Sequence, residues 1–404
     1  MTSPRLTSGL VVILGFLSAV GPFAIDMYLA SLPQIARELE APPATVQLTL
    51  TAFLIGLGAG QLLLGPLSDM WGRRRVLLLS TSVFALASVA LIASPNIEVF
   101  IGLRLLQGLS GAAGVVVARA IAVDLSTGRT AVRALSLIAT VGGLGPLVAP
   151  PIGGLVASFS GWRGVLTALA AIAAIAVLML VLAWLAVPES LPREHRHTGG
   201  LGAMRSSFAH FMKDPIYLGY TGAYATGFAG LFAYVAASPF VGQVILGMSP
   251  LLYGLGFAGG GAALLVTNLI NATYAPRIGP ERMLVVGAVL SATSAVVMTV
   301  SAATGILSIP LFLGCAFTTM AAAGLTFGNA SALGLARATT SNRGAGAALM
   351  GACQFAAGAI VTPIVGLWGE ETALPMACIM LLGALVSLTL GLASRRASAR
   401  ERPE

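Results

Sequence analysis

The sequence predicts an all-α integral membrane protein with twelve transmembrane helices arranged as two six-helix bundles. Three observations predict it. The first is composition: of 404 residues, 57% are hydrophobic and only 9% charged, with mean hydropathy +0.93. Soluble domains carry about 25% charged residues, so this chain cannot cover itself with a surface for water. The second is length: a crossing takes ~20 apolar residues, and the apolar runs give twelve such segments. The third is the placement of basic residues, which fall in alternate gaps between those segments.

In chain order, the predicted crossings are roughly 9–33, 45–67, 75–94, 98–123, 134–158, 164–187, 215–240, 250–272, 283–303, 308–335, 344–368 and 374–393. The first begins just after Arg5 and runs for more than 20 residues to Pro33 without a small-residue cleavage site, so it reads as a retained helix. Residues 1–187 form the first predicted bundle and 214–404 the second. The polar stretch 188–213 joins them, and its His195 and His197 read as solvated linker residues. An even number of crossings puts both termini on one side. With that side inside, 18 of the 22 basic residues fall in inner gaps and tails; Arg37 and Arg163 fall outside, and Arg104 and Arg119 lie within the fourth crossing. The positive-inside rule therefore places both termini in the cytoplasm.

The net charge of +8 does not point to nucleic acid, because the arginines punctuate apolar runs instead of clustering on one face. Cys315, Cys353 and Cys378 sit in apolar runs without metal-ligand spacing and read as small core residues. No Walker, GxSxG, HExxH or CxxC pattern is present, which argues against an ATP-driven pump or an enzyme.

Two charges lie deep in the first bundle. Asp26 falls seven residues before Pro33, ~10 Å below the outer end, and Arg104 six residues after Glu98, ~9 Å below the same surface. A charge at that depth costs at least ~2.5 kcal/mol, so both should face a cavity or a partner. Matching depth suggests that they pair, Asp26 as the protonatable group and Arg104 as the neighbour that tunes it; the alternative is a static ion pair that only fixes packing. At the opposite end, Asp69, Arg73 and Asp124 could form a charge cluster acting as a gate. The fifth crossing contains Gly145, Pro150, Gly153 and Gly154, a density of Gly and Pro that predicts a kinked, closely packed hinge. In the seventh, Tyr220, Tyr224 and Phe228 recur at helical spacing and could line a substrate cavity, as could Tyr28 and Gln107.

The halves echo one another. Gly72 and Arg75 recur 207 positions on as Gly279 and Arg282, and Pro150-x-x-Gly153 recurs as Pro363-x-x-Gly366. Duplicated halves are a common transporter plan.

Several of these stretches resemble a known family. Gly65-Pro66-Leu67-Ser68-Asp69 with Gly72-Arg73-Arg74-Arg75 is similar to the loop 2–3 signature of the major facilitator superfamily, and Arg104-Leu105-Leu106-Gln107-Gly108 to its helix 4 motif. Gly145 with Ala149-Pro150-x-x-Gly153-Gly154 resembles the helix 5 motif of drug:proton antiporters. Asp26-Met27-Tyr28-Leu29 with Leu32-Pro33, and Gly161-Trp162-Arg163, resemble the bicyclomycin and chloramphenicol resistance group. One departure stands out: Met70 and Trp71 follow the loop aspartate where the family usually has a basic residue.

The resemblance implies a proton-coupled exporter of small amphipathic drugs, of chloramphenicol or bicyclomycin type, in a bacterial cytoplasmic membrane. Asp26 would be its proton-coupling carboxylate with Arg104 as partner, and Arg73 would pair with Asp124. The expected partners are a drug-like molecule, protons and the lipid bilayer. No cofactor beyond the proton gradient is expected, and a monomer suffices. The competing expectations are a facilitator or importer of a polar metabolite, and a membrane receptor or scaffold that transports nothing.

Overall fold

The computed structural model describes residues 6–126, 128–186, 189–191, 208–339 and 343–401, and among these every regular element is helical. The chain divides into two compact units, one of Met1–Ala41 with Leu48–Thr198 and one of Pro42–Gln47 with Gly199–Glu404. One boundary, Thr198/Gly199, lies in the stretch 188–213, and two more set off Pro42–Gln47 from the helices around it. Most of that stretch, including Arg193, His195, Arg196, His197 and Arg205, lies outside the described residues.

The first unit contains α1 (Ser8–Asp26), a 3₁₀ turn (Leu29–Ser31), α2 (Leu32–Glu38), α3 (Pro43–Trp71), α4 (Arg73–Ile92), α5 (Ile97–Asp124), α6 (Gly128–Gly143) and α7 (Gly145–Ala186). Side-chain caps start two of these helices: the Thr7 hydroxyl accepts from the Leu10 amide at 3.3 Å and Asn96 Oδ1 from the Val99 amide at 3.0 Å. α1 runs through the middle of the unit, packed on α5, α6 and α7. α3 meets α5 where Gly56 and Gly60, four residues apart, let the backbones touch.

α7 has 42 residues, roughly twice the length that crosses a bilayer. Gly161, at φ 64° and ψ −171°, breaks it into two crossings. The break is held by Trp162 Nε1 and Arg163 Nη1, which donate to the same Glu38 oxygen at 2.8 and 2.9 Å. Eleven described helical stretches are long and apolar enough to cross a membrane. One of them, Arg133–Val181, contains this break, and counting it twice gives the twelve crossings.

The first crossing departs from expectation. It was expected to be continuous over 9–33, but α1 stops at Asp26, and the chain passes through a bend and the 3₁₀ turn before α2 begins. Pro33 settles in the first turn of α2, where its missing amide costs no helical bond.

The second unit contains α8 (Pro215–Phe240) with a π-helical extension (Val241–Ile245), α9 (Pro250–Ile278), α10 (Pro280–Thr304), α11 (Ile309–Leu335), α12 (Arg343–Ile364) and α13 (Leu374–Glu401). α8 is its central helix, packed on α11, α12 and α13. The first turn of α3 belongs to this unit, with Gln47 Nε2 donating to the Ala236 carbonyl at 3.2 Å. The sequence echo has a conformational counterpart: Gly72 (φ 98°, ψ 141°) precedes α4, and Gly279 (φ 97°, ψ 134°) precedes α10. Both occupy a region that favours glycine, so the same tight turn begins the same helix in each half.

One polar knot ties three helices of the second unit. Asp214 caps α8, accepting from the Ile216 and Tyr217 amides at 2.9 and 3.1 Å and from Arg337 Nε at 2.7 Å. Arg337 Nη1 donates onward to Glu401 at 2.8 Å. Burial pushes the Asp214 carboxyl up, but the bonds from Arg337 and the two amides outweigh it and hold it below its ordinary value. A depressed carboxyl stabilises the fold above the unfolded pKa, ~3.9, and that stability is lost as pH falls through the folded value. Thermal melting of the purified protein is therefore expected to worsen as pH falls below ~4. Asp214→Asn should remove up to ~1 kcal/mol of that acid dependence. An unchanged acid profile in the variant would dismiss the knot as a pH-sensitive tie.

Candidate functional site

Arg104 lies on α5, fully buried. Its Nη1 donates to the Ala24 carbonyl at 3.0 Å and to Gln107 Oε1 at 2.6 Å. The guanidinium carbon stands 4.2 Å from the centre of the Tyr28 ring and 4.4 Å from that of Phe53. Gln107 Nε2 continues the chain to Ser88 Oγ on α4 at 2.8 Å. Burying such a cation costs several kcal/mol. Two aromatic faces at ~2 kcal/mol each when desolvated, with two charge-assisted hydrogen bonds at ~1.5–3 kcal/mol each, are large enough to offset it without a carboxylate.

The expected Asp26–Arg104 ion pair is not formed. The carboxylate of Asp26 receives no hydrogen bond or ion pair from any described residue, although the residue is only 8% exposed. Helix geometry accounts for this. Asp26 follows Ala24 by two residues, ~200° around the axis, so the carbonyl that meets Arg104 and the carboxylate leave α1 on different sides. Asp26 instead faces α7, where a Cβ built on Gly145 would lie 3.5 Å from its Oδ2 and 2.8 Å from Pro22 Cβ. Arg104 therefore acts on the end of α1. The last carbonyls of a helix lack partners within it and carry the negative end of its dipole, and a guanidinium there satisfies both.

Four residues expected to line a cavity, Tyr28, Gln107, Tyr220 and Phe228, are buried. Tyr28 and Gln107 are fully buried in the Arg104 network, and the Tyr28 hydroxyl pairs with Thr49 at 2.9 Å. Tyr220, 1% exposed, packs with Ile216, Leu284 and Ala330 in the core of the second unit. The Arg104 site draws polar groups inward in the first case, and the crowding around the central helix α8 does so in the second. Tyr224 is half-buried and donates to Gln354 on α12 at 2.7 Å. Phe228 stacks on Phe232 with centroids 4.4 Å apart, and Phe327 and Phe355 complete an aromatic group from α8, α11 and α12. Gln354 is a polar residue inside the predicted crossing 344–368. Phe53, Phe327 and Phe355 carry no signal that separates them from other apolar residues.

The charge cluster at the other end is assembled. Arg73 reaches Asp69 with Nη2 at 2.6 Å and Asp124 with Nε at 3.1 Å, while its Nη1 donates to Ser68 at 2.7 Å. Met70 and Trp71, where the family pattern has a basic side chain, are both more than half exposed. The expected hinge has its break at Leu144, between α6 and α7. Pro150, Gly153 and Gly154 are buried beyond it, and the Gly154 carbonyl accepts from Ser158 at 2.8 Å. Among the described residues no group of His, Cys, Asp or Glu could hold a metal ion.

The family model described as Major Facilitator Superfamily matches residues 14–363. An uncharacterized MFS-type transporter of Bacillus subtilis, YdgK, is 36% identical over 93% of both chains. A bicyclomycin resistance protein homolog of Haemophilus influenzae is 31% identical over 96% of both. A chloramphenicol resistance protein of Pseudomonas aeruginosa is 31% identical over 69% of this chain and 64% of its own length. Among solved structures, the fold matches a bacterial homolog of the human lysosomal transporter Spinster with TM-score 0.75, at 14% identity and covering 98% of this chain and 97% of that one. It also matches a D-xylose-proton symporter with TM-score 0.71, at 17% identity over 94% and 95% of the two chains.

Proposed function

The chain belongs to the major facilitator superfamily of membrane transporters, and from that premise we propose that it exports small amphipathic drugs in exchange for protons. It is a multi-pass transporter, not an enzyme. The observation that carries the proton-coupled reading is Asp26, a carboxylate buried at a helix break without a counter-ion among the described residues. An unpaired charge is expensive in that position, so taking up a proton is what allows the group to stay buried. When the protein opens the site to water, the proton can leave.

In this reading substrate and proton compete for conformations around Asp26. Each shifts the equilibrium between states only by its difference in affinity for them. The cluster of Asp69, Arg73 and Asp124 stabilises one state as a gate, and the break at Leu144 and Gly145 gives α6 and α7 freedom to move. In this reading both termini lie in the cytoplasm, which the arginine-rich gaps favour. The energy comes from the proton gradient, and one copy of the chain suffices. The sequence relatives named for drug resistance favour this reading over a polar-metabolite carrier, as does the aromatic group on α8.

The test is substrate-induced proton movement in proteoliposomes, with chloramphenicol and bicyclomycin in the panel. The wild-type chain is expected to move protons with at least one compound. Asp26→Asn should abolish that flux, at least tenfold, while leaving the melting temperature nearly unchanged. Proton flux in the variant equal to wild type would reduce Asp26 to a packing residue and end this mechanism.

A further inference from the structure

A cavity of about 350 Å³ opens in the first unit between the starts of α1 and α6, and no step described so far uses it. Its polar rim consists of Thr7, Ser8, Thr130 and Arg133, and its remaining side chains are aliphatic, among them Val12, Leu137 and Val141. The cavity lies at the same end as the cluster of Asp69, Arg73 and Asp124. Leu6, in its wall, donates its amide at 3.4 Å to the carbonyl of Leu125, the residue after Asp124.

Three of the rim side chains stand idle. Ser8, Thr130 and Arg133 are exposed and form no hydrogen bond or ion pair with any described residue. Arg73 in the neighbouring cluster, by contrast, holds two carboxylates. No acidic side chain lines the cavity, so a guanidinium and hydroxyl donors face it without a counter-ion. Such a rim fits a phosphate, whose oxygens accept from the guanidinium fork. The aliphatic part adds a second demand. Val12 is 64% exposed and Leu137 47%, so an apolar stripe continues from the rim along both helices. A free phosphate would leave that stripe uncovered, whereas an acyl chain covers it. Length agrees: from Thr130 to Val141 the lining follows α6 for ~16 Å, and one leaflet provides ~15 Å of hydrocarbon. Basic pockets between crossings on the cytoplasmic side suit anionic headgroups.

We propose that this cavity binds an anionic glycerophospholipid. The phosphate lies against Arg133, Ser8 and Thr130 donate to the phosphate and glycerol oxygens, and one tail follows the stripe past Leu137 to Val141. The leaflet is the cytoplasmic one in the orientation that the arginine-rich gaps favour. The lipid joins the start of α1 to the start of α6 and so makes the stability of the first unit depend on the membrane's anionic lipid. The site does not depend on the exporter reading, because it holds for a carrier of any substrate.

The experiment is native mass spectrometry of the full chain in detergent, with phosphatidylglycerol and phosphatidylcholine as probes. Wild type is expected to retain phosphatidylglycerol at least tenfold more tightly than phosphatidylcholine, and Arg133→Ala should lose that preference. Arg133 is exposed, so the variant keeps its fold, which an unchanged melting temperature in lipid-free detergent checks. Leu137→Trp, which fills the apolar part, should weaken both lipids severalfold. Arg282→Ala removes an exposed arginine of the second unit and should keep the wild-type preference. Phosphatidylglycerol should also raise the melting temperature of wild type and leave that of Arg133→Ala unmoved. Equal retention of the two lipids by wild type, an undiminished preference in Arg133→Ala, or the same loss in Arg282→Ala would overturn the site. So would inorganic phosphate that stabilises wild type as well as the lipid does, since the cavity would then hold a free anion. Chloramphenicol that displaces the lipid would give the cavity to the drug and overturn the proposal as well.

Discussion

Gly153→Val is expected to prevent the first unit from assembling. A Cβ at residue 153 would overlap the Met27 carbonyl oxygen and lie 2.7 Å from its carbon, closer than real Cβ atoms come. The obstacle is backbone on both sides: α7 at Gly153 and the chain just past the end of α1. Neither can swing away as a flexible side chain would. Overpacking usually costs ~1–3 kcal/mol, and a clash of this kind belongs at or above the top of that range. The purified variant should melt well below wild type or run aggregated on size exclusion. Gly314→Ala is the control, since a Cβ there meets nothing within 4 Å and alanine favours a helix by ~0.5–1 kcal/mol. Equal melting of Gly153→Val and wild type would mean that α7 does not pack against the break in α1.

Arg104→Met is expected to remove transport and to destabilise the first unit. The change leaves the Ala24 carbonyl and Gln107 Oε1 buried without their donor, at ~1–3 kcal/mol each, and empties the space between the Tyr28 and Phe53 rings. Arg104→Lys separates two explanations of the residue. A lysine keeps the charge, so a long-range counter-ion role for Asp26 would survive it. It cannot lie flat between two rings or hold two acceptors in one plane, so a role in capping α1 would not. We expect Arg104→Lys to transport less than a tenth as fast as wild type, a loss of roughly 1.4 kcal/mol or more. Near-normal transport by the lysine variant would restore the counter-ion explanation and discard the cap.

The sequence was informative where a residue's cost depends on its surroundings as a class. Any charge in lipid is expensive, so Asp26 and Arg104 were conspicuous before any contact was known. Arg73 between two aspartates at the end of two crossings could hardly find other partners, and the three do meet. Glycine repeats signalled close backbones, and the echo of Gly72 in Gly279 became the same turn at the start of α4 and α10. Tyrosine at helical spacing was less informative. Periodicity marks a face of α8 but not which face opens, and Tyr220 turned into the core while Tyr224 reached Gln354.

By itself, then, the sequence determined the solvent, the number of crossings, the two halves and the few residues too costly to be there without a reason. Those follow from transfer free energies and chain length, which act on each residue whatever its neighbours. Only the tertiary structure decided who meets whom. Asp26 and Arg104 match in depth, but depth fixes one coordinate. The break of α1 at Asp26 fixes the angle, sending the carbonyl of Ala24 toward α5 and the carboxylate toward Gly145. The partners that made the buried arginine affordable, the rings of Tyr28 and Phe53, come from the α1 break and from α3. An apolar ring in an apolar helix acquires that role only when packing places it over a cation.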